Sequence, residues 1–167
     1  MKTIETKVYE YHELPTERAK EKARRWFLEC QYQDSWWAYT YEDAKDIGLK
    51  ITSFDLDRNR HAKGEFITYA EDCAKSILKT HGEDCATYAT AAEYLESLKA
   101  LQAKFPNEED SFDDELSNLN DEFLRSILED YSIILRRESE YMQSEEYLIE
   151  GIEMNEYTFT EDGKRFD

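Results

Sequence analysis

The chain contains little glycine and proline, which account for five and two of its 167 residues. Because these residues punctuate turns and loops, long irregular segments are not expected. No apolar run in the sequence approaches the ~18 residues of a membrane-spanning helix, and residues 1–5 lack the apolar stretch of a signal peptide. Three cysteines form an odd and sparse set, which favours reduced thiols over a disulfide framework. We therefore expect a cytoplasmic protein that has no membrane partner.

What the chain does contain is sufficient for a packed core. Hydrophobic residues make up 40% of the sequence and aromatic residues 14%. Disordered acidic chains are poor in aromatics, so a folded protein is expected. A length of 167 residues lies within the range of ~100 to ~200 residues that is typical of one domain. We predict a single domain over residues 1–167.

The net charge of −18 is distributed unevenly along the chain. Residues 1–100 contain 19 acidic and 15 basic residues, a net charge of −4, whereas residues 101–167 contain 20 acidic and 6 basic residues, a net charge of −14. Phosphate contacts need Lys and Arg, so direct nucleic-acid binding is not expected. The asymmetry favours a basic protein as partner, because complementary charge steers association. A general contribution to solubility is the alternative explanation.

Hydrophobic periodicity predicts an α+β fold, in which a small antiparallel sheet of about three or four strands packs against several helices. Apolar residues recur at steps of three and four over residues 112–141, which predicts a long amphipathic helix there. Gly48 is the expected terminator of the second helix. The remaining predicted helices cover about residues 16–30, 35–47, 70–80, 85–104 and 144–154, and the predicted strands cover about residues 2–11, 49–57, 65–69 and 156–160.

Acidic residues crowd the start of the long helix and continue along it. Carboxylates in a first helical turn stabilise the helix dipole, each by up to about 1 kcal/mol, which explains part of the pattern. A row of carboxylates along a helix also resembles the charge of a nucleic-acid backbone, so DNA mimicry is an open interpretation beside an ordinary solvated helix face. The candidate partner-binding acidic residues are Glu108, Glu109, Asp110, Asp113, Asp114, Asp121, Glu122, Glu129 and Asp130.

An aromatic cluster over residues 36–41 supplies a further candidate. Adjacent tryptophans on one helix cannot both point inward, and tryptophan is enriched at interface hot spots. Trp37 is therefore a predicted partner contact, although such aromatics are more often part of a core.

Two weaker patterns could carry a metal or catalysis. Cys73, His81 and Cys85 are the nearest cluster of soft ligands, but structural zinc sites usually have four ligands with a paired Cys motif. Alternatively, Asp55 and Asp57 would share one face of a strand and could hold Mg²⁺ together with Glu65 on a neighbouring strand. No nucleophile, phosphate-binding loop or cofactor motif accompanies them. We predict no catalytic residue, metal or cofactor, and keep a metal-dependent enzyme as an alternative.

A basic first helix leaves one route to nucleic acid, through Arg18, Lys22 and Arg25 together with the loop at residues 58–63. This route would have to overcome the overall negative charge.

Several short segments along the chain match a known group of proteins in the same order. The matching segments are His12-Glu13-Leu14; Ala19-Lys20-Glu21-Lys22-Ala23-Arg24 with Trp26; Tyr41-Glu42-Asp43-Ala44; Ile51-Thr52-Ser53-Phe54-Asp55-Leu56-Asp57-Arg58; His81-Gly82 with Cys85, Thr87 and Tyr88; and Asn155-Glu156-Tyr157-Thr158-Phe159-Thr160-Glu161-Asp162-Gly163. In these segments the chain resembles small proteins of phages and prophages that are often labelled antitoxins of a toxin–antitoxin stability system. The resemblance implies a mobile-element origin, a bacterial host and a role in host–phage conflict. After Arg58 many members have a loop rich in glycine and aromatics, where this chain has a charged segment.

The expected function is therefore that of a phage-type accessory protein that binds and inhibits a host protein. Its acidic C-terminal helices would engage a basic surface of a defence complex or toxin, which makes the chain an anti-CRISPR, antirestriction or antitoxin-like candidate. A structural phage protein is a further alternative, and homo-oligomerisation is left open.

Overall fold

The computed structural model describes residues 1–33, 35–107 and 109–166, and these residues form the predicted α+β fold. They contain six α-helices, a short 3-10 helix at Tyr11–Glu13, a three-stranded sheet and a two-stranded sheet, both antiparallel. The helices are α1 (Glu17–Gln33), α2 (Ala38–Asp46), α3 (Ala70–Thr80), α4 (Ala86–Lys104), α5 (Glu109–Met142) and α6 (Glu145–Met154). The strands are β1 (Tyr9–Glu10), β2 (Leu49–Asp55), β3 (His61–Phe66), β4 (Thr158–Phe159) and β5 (Arg165–Phe166).

The chain divides into two compact units, which we call the terminal unit (Met1–Trp36 with Arg137–Asp167) and the central unit (Trp37–Arg136). Each unit has a hydrophobic core of its own. None of the helices within the described residues combines the length and apolar composition that a membrane crossing requires.

The central unit is built on the β2–β3 hairpin. The strands pair from Leu49 opposite Phe66 to Asp55 opposite His61, with an irregularity between Ile51 and Ser53. A core of aliphatic and aromatic side chains from α2, α3, α4 and α5 packs with this hairpin; its fully buried members include Leu49, Ile77, Ile127 and Tyr131. At Gly64 an added Cβ would overlap the carbonyl oxygen of Lys50 and lie 3.1 Å from Cδ2 of Leu128. Glycine at this position therefore allows the backbone of β2 to approach β3 closely, with Leu128 of α5 packed beside it.

The terminal unit packs α1 and α6 with the sheet whose strand order is β1-β4-β5. Ala19, Ala23 and Phe27 lie at four-residue steps on α1 and are buried against Ile152 of α6 and Phe159 of β4. Outside this core the guanidinium of Arg165 lies 4.6 Å from the ring centroid of Tyr157 and 5.7 Å from that of Trp26. These contacts fix the last strand on an aromatic surface.

The predicted helices agree with the structure more closely than the predicted strands. Residues 70–80 form the expected helix, and α4, α5 and α6 each lie within three residues of prediction at both ends. Gly48 has a φ of 88° and follows the end of α2, as expected. The strand predicted over residues 2–11 is too long, because only Tyr9 and Glu10 pair with a partner, β4. The second hairpin strand begins at residue 61 rather than 65, and β5 was not predicted.

Candidate partner-binding surface

The central unit holds α5 by one face and leaves the opposite face in solvent. Phe123, Ile127 and Tyr131 follow one another at four-residue steps and are buried, as expected of an amphipathic helix. Six of the predicted acidic contacts are exposed on this helix: Asp110, Asp113, Asp114, Asp121, Glu122 and Glu129. We call these six residues the acidic surface.

The other predicted acidic contacts do not join this surface. Glu108 lies outside the described residues, and of Glu109 only the backbone is described. Asp130 is half-buried, and its Oδ2 accepts a hydrogen bond from the hydroxyl of Thr90 on α4 at 2.6 Å. Burial raises the pKa of Asp130, while the Thr90 hydroxyl lowers it. Asp130 therefore connects α5 to α4 instead of extending the exposed row.

Trp37 occupies a different setting from the one that the sequence suggested. The helix α2 begins at Ala38, so the adjacent tryptophans precede it, and both are half-buried. The ring of Trp37 meets that of Phe54 edge to face, with centroids 5.9 Å apart. The premise that both tryptophans lie on one helix is therefore wrong, and part of the Trp37 ring belongs to an aromatic cluster with Phe54 and Tyr41.

The charge density of α5 is highest over its first 14 residues. Residues 109–122 contain seven acidic and no basic residues. At a rise of 1.5 Å per residue this is one negative charge per about 3 Å of helix axis, close to the ~3.4 Å per charge of a single nucleic-acid strand within a duplex. Residues 123–142 contain four acidic residues and three arginines, so the density falls steeply beyond Glu122.

A groove runs beside the acidic surface, between α4 and α5. The two helices are antiparallel, because Thr90 contacts Asp130 whereas Lys104, 14 residues further along α4, contacts Glu115 near the start of α5. Between them the rings of Tyr94 and Phe123 stack with centroids 4.3 Å apart and planes inclined by 15°.

The bulk of these two rings holds the helices apart. The space beside them is not filled, because the α4 residues that face it include the small Ser97 and Ala100. Two adjoining cavities of about 340 and 150 Å³ result, and they share Ser97, Leu119 and Glu122 as lining residues.

The groove has a mixed lining in which an apolar strip lies beside uncharged polar residues and an acidic rim. Ala100, Leu101 and Leu119 contribute apolar lining, while Glu93, Glu115 and Glu122 contribute carboxylates. Among the described lining residues Lys104 is the only basic one. Its Nζ lies 3.2 Å from Oε1 of Glu115 and 4.8 Å from the ring centroid of Phe105. The rim is thus net negative after this ion pair is counted.

A polar cluster that the sequence did not reveal joins four elements of the central unit. The hydroxyl of Tyr131 on α5 donates to Oδ2 of Asp43 on α2 at 2.8 Å. Nε2 of His81, at the end of α3, lies 3.6 Å from the same oxygen, and Nδ1 of His81 lies 2.6 Å from the hydroxyl of Thr87 on α4. Burial raises the pKa of Tyr131, and so does its hydrogen bond to Asp43.

This cluster has the composition of a catalytic hydroxyl–His–carboxylate relay, but its hydroxyl is not accessible to a substrate. Thr87 is 2% exposed, so its hydroxyl is closed to a substrate in solution. A nucleophile must be reachable by the atom that it attacks. The arrangement instead connects α5 to α2 through the Tyr131–Asp43 hydrogen bond, and the end of α3 to α4 through the His81–Thr87 hydrogen bond.

The two metal hypotheses are not supported by the placement of their residues. Asp55 lies opposite His61 and Glu65 opposite Lys50, at different ends of the hairpin, which places Asp55 and Glu65 about 16 Å apart along the strands. Asp57 lies beyond the end of β2, and its backbone N–H donates to Oδ1 of Asp55 at 2.9 Å. The expectation that Asp55 and Asp57 share one face of a strand is therefore wrong, and Glu65 is too far from Asp55 to hold the same metal ion.

Cys73 and Cys85 also occupy different environments. Cys73 is buried, which raises the pKa of its thiol to about 12, while Cys85 is exposed. Across residues 1–33, 35–107 and 109–166, no group of three or more His, Cys, Asp and Glu side chains is placed to hold a metal ion.

The basic residues of α1 are partly neutralised within the terminal unit. Nζ of Lys22 lies 3.0 Å from Oδ2 of Asp162, and the guanidinium of Arg25 lies 3.2 Å from Oε1 of Glu21. These ion pairs reduce the positive charge that α1 offers to a phosphate backbone.

No protein-family model, curated protein or solved structure matches the chain. The resemblance to small phage and prophage proteins thus stays a prediction from the quoted segments.

Proposed function

We propose that this protein is a phage-type accessory protein that binds a basic host protein through the acidic surface of α5 and inhibits it. The observation that carries the proposal is the acidic composition of residues 109–122, which contain seven carboxylates and no basic residue. They lie on a helix whose buried residues begin at Phe123, with Leu116 and Leu119 half-buried against the same core. A charged segment on a helix held in this way is preorganised, so binding does not have to order it first.

The charge spacing also supports inhibition by imitation of a nucleic-acid strand. One charge per about 3 Å approximates a single nucleic-acid strand, whereas a duplex carries one per ~1.7 Å. We propose that the acidic surface occupies a groove in which the partner, a component of a defence complex or a toxin, handles a nucleic-acid strand. The bacterial cytoplasm is the proposed site of action.

The experiment compares two variants that change the net charge equally. The acid-reversed variant carries lysine at three exposed positions of α5: Asp114, Asp121 and Glu122. The control variant carries lysine at three exposed positions of the terminal unit: Glu150, Glu153 and Glu161. Tagged wild-type protein and both variants are used to capture partners from host lysate, and each captured partner is assayed for nucleic-acid binding with and without the protein.

Wild-type protein and the control variant should retain the partner and compete with its nucleic acid, while the acid-reversed variant should lose both properties. Circular dichroism of all three proteins serves as the folding control. Equal capture and equal competition by the two folded variants would show that the acidic surface is not the binding surface.

A further inference from the structure

The groove between α4 and α5 gives the proposed interaction a more specific form. We infer that it receives one amphipathic, basic α-helix of the partner protein, whose apolar ridge lies on Ala100, Leu101 and Leu119. This inference rests on the proposed function, because it specifies how a basic partner would engage the same region of α5. The two are connected through Glu122, which belongs to both the acidic surface and the groove.

The shape of the groove favours a helix over an extended segment. Its walls are two α-helices, whose backbone hydrogen bonds are satisfied internally, so a bound strand would find no ladder of backbone partners. A helix satisfies its own backbone and needs only a surface for its side chains. The groove lining extends from Thr90 to Lys104 along α4, about 21 Å, which matches a helix of about 14 residues.

The chemistry of the lining specifies the side chains of this helix. Ala100, Leu101 and Leu119 suit apolar residues that recur at steps of three and four on one face. Glu93 and Glu122 on the rim suit Lys or Arg on either side of that ridge, while Glu115 is already paired with Lys104. A basic helix therefore complements the net negative rim, and an acidic helix would be repelled by it.

The test uses a synthetic amphipathic peptide of about 14 residues, composed of leucine on one helical face and lysine elsewhere. A peptide of the same composition in scrambled order keeps the charge and removes the ridge. Binding of both peptides to the full chain is measured by calorimetry, and the bound surface is mapped by amide chemical-shift changes in the labelled protein.

Two matched variants distinguish a block of the groove from a general effect of added positive charge on α4. Ala100→Arg places a large cationic side chain at an exposed position in the groove, and Ala103→Arg places the same side chain at an exposed position of the same helix that does not line the groove. Neither change touches a buried residue, so both variants should fold.

The inference predicts that the amphipathic peptide shifts the amides of Ser97, Ala100 and Leu119 and binds about tenfold or more tightly than the scrambled peptide. Ala100→Arg should weaken binding of the amphipathic peptide by about tenfold. Ala103→Arg should weaken it by less than about fivefold, which is the largest effect expected of one exposed charge pair.

If the two peptides bind equally, or Ala100→Arg binds as wild type does, the groove is not the docking site. Equal binding of both peptides that is lost in the acid-reversed variant overturns the groove inference alone and leaves the proposed function standing. Failure of the amphipathic peptide to bind at all also overturns the groove inference, and the partner-capture experiment then decides the proposed function separately.

Discussion

The hydrogen bond between Tyr131 and Asp43 joins α5 to α2 at the edge of the core of the central unit, and its removal has a calculable cost. The Tyr131 side chain is fully buried and its hydroxyl donates to Oδ2 of Asp43 at 2.8 Å. A hydrogen bond to a charged acceptor contributes about 1.5–3 kcal/mol. Because the Asp43 side chain is 52% exposed, its carboxylate regains water when the hydroxyl is removed. Tyr131→Phe should therefore lower the free energy of unfolding by about 1–2 kcal/mol.

The reciprocal change should cost more. Asp43→Ala leaves the Tyr131 hydroxyl buried without its acceptor, and an unsatisfied buried donor costs about 1–3 kcal/mol in addition. The double variant should then be no less stable than Asp43→Ala alone, because removing the hydroxyl also removes this penalty.

Urea unfolding followed by circular dichroism measures all four proteins, since helices make up most of the central unit. The free energy of unfolding is obtained from the midpoint and the slope of each transition. Unchanged stability of Tyr131→Phe, or fully additive losses in the double variant, would refute the assignment of this hydrogen bond as a stabilising contact.

Three further predictions concern local chemistry. Gly48→Ala should destabilise the fold by about 1–3 kcal/mol, because the backbone has a φ of 88° and an added Cβ would overlap a neighbouring side chain; urea unfolding measures this, and an unchanged midpoint would contradict it. The exposed Cys85 should react with a thiol reagent at neutral pH, while the buried Cys73, with a pKa of about 12, should react only in denaturant; equal rates in the folded protein would be inconsistent with this burial. The Thr160 hydroxyl holds the pKa of Asp162 at about 2. The stabilisation from this carboxylate is therefore complete above a pH of about 4 and is lost as the pH falls through about 2. NMR titration should find a higher pKa for Asp162 in Thr160→Val, and the same pKa in both proteins would disprove the contact.

Local signals explain which helices the sequence could predict. The residues of α3 place Ala70, Cys73, Ala74 and Ile77 on one face, and all four are buried. Spacing of this kind depends only on the helix itself, so residues 70–80 could be read directly. Gly48 was identifiable for the same reason, because a left-handed residue at a helix end is a local requirement.

Pairing and packing between distant segments explain the failures. Ile4, Thr6 and Val8 alternate as strand residues do, yet the antiparallel partner β4 is two residues long and reaches only Tyr9 and Glu10. The length of a strand is set by its partner, which alternation does not encode.

The candidate surface was predictable in its charge but not in its boundaries. In the sequence Asp130 looks the same as its neighbour Glu129, since both are acidic residues of one amphipathic helix. The difference between them comes from the hydroxyl of Thr90, 40 residues earlier, which binds Asp130 and holds it against α4. The groove depends on how far the stacked rings of Tyr94 and Phe123 separate two helices, a distance that no local pattern specifies.

The central claim is that the acidic surface of α5 makes the partner contact. Its most direct measurement is the dissociation constant of the complex with the captured partner, determined over a range of salt concentrations for wild-type protein, the acid-reversed variant and the control variant. The affinity of the wild-type and control proteins should fall with rising salt. The acid-reversed variant should bind weakly, and its affinity should depend much less on salt. Identical affinities and identical salt dependences for all three proteins would show that the acidic surface does not make the contact.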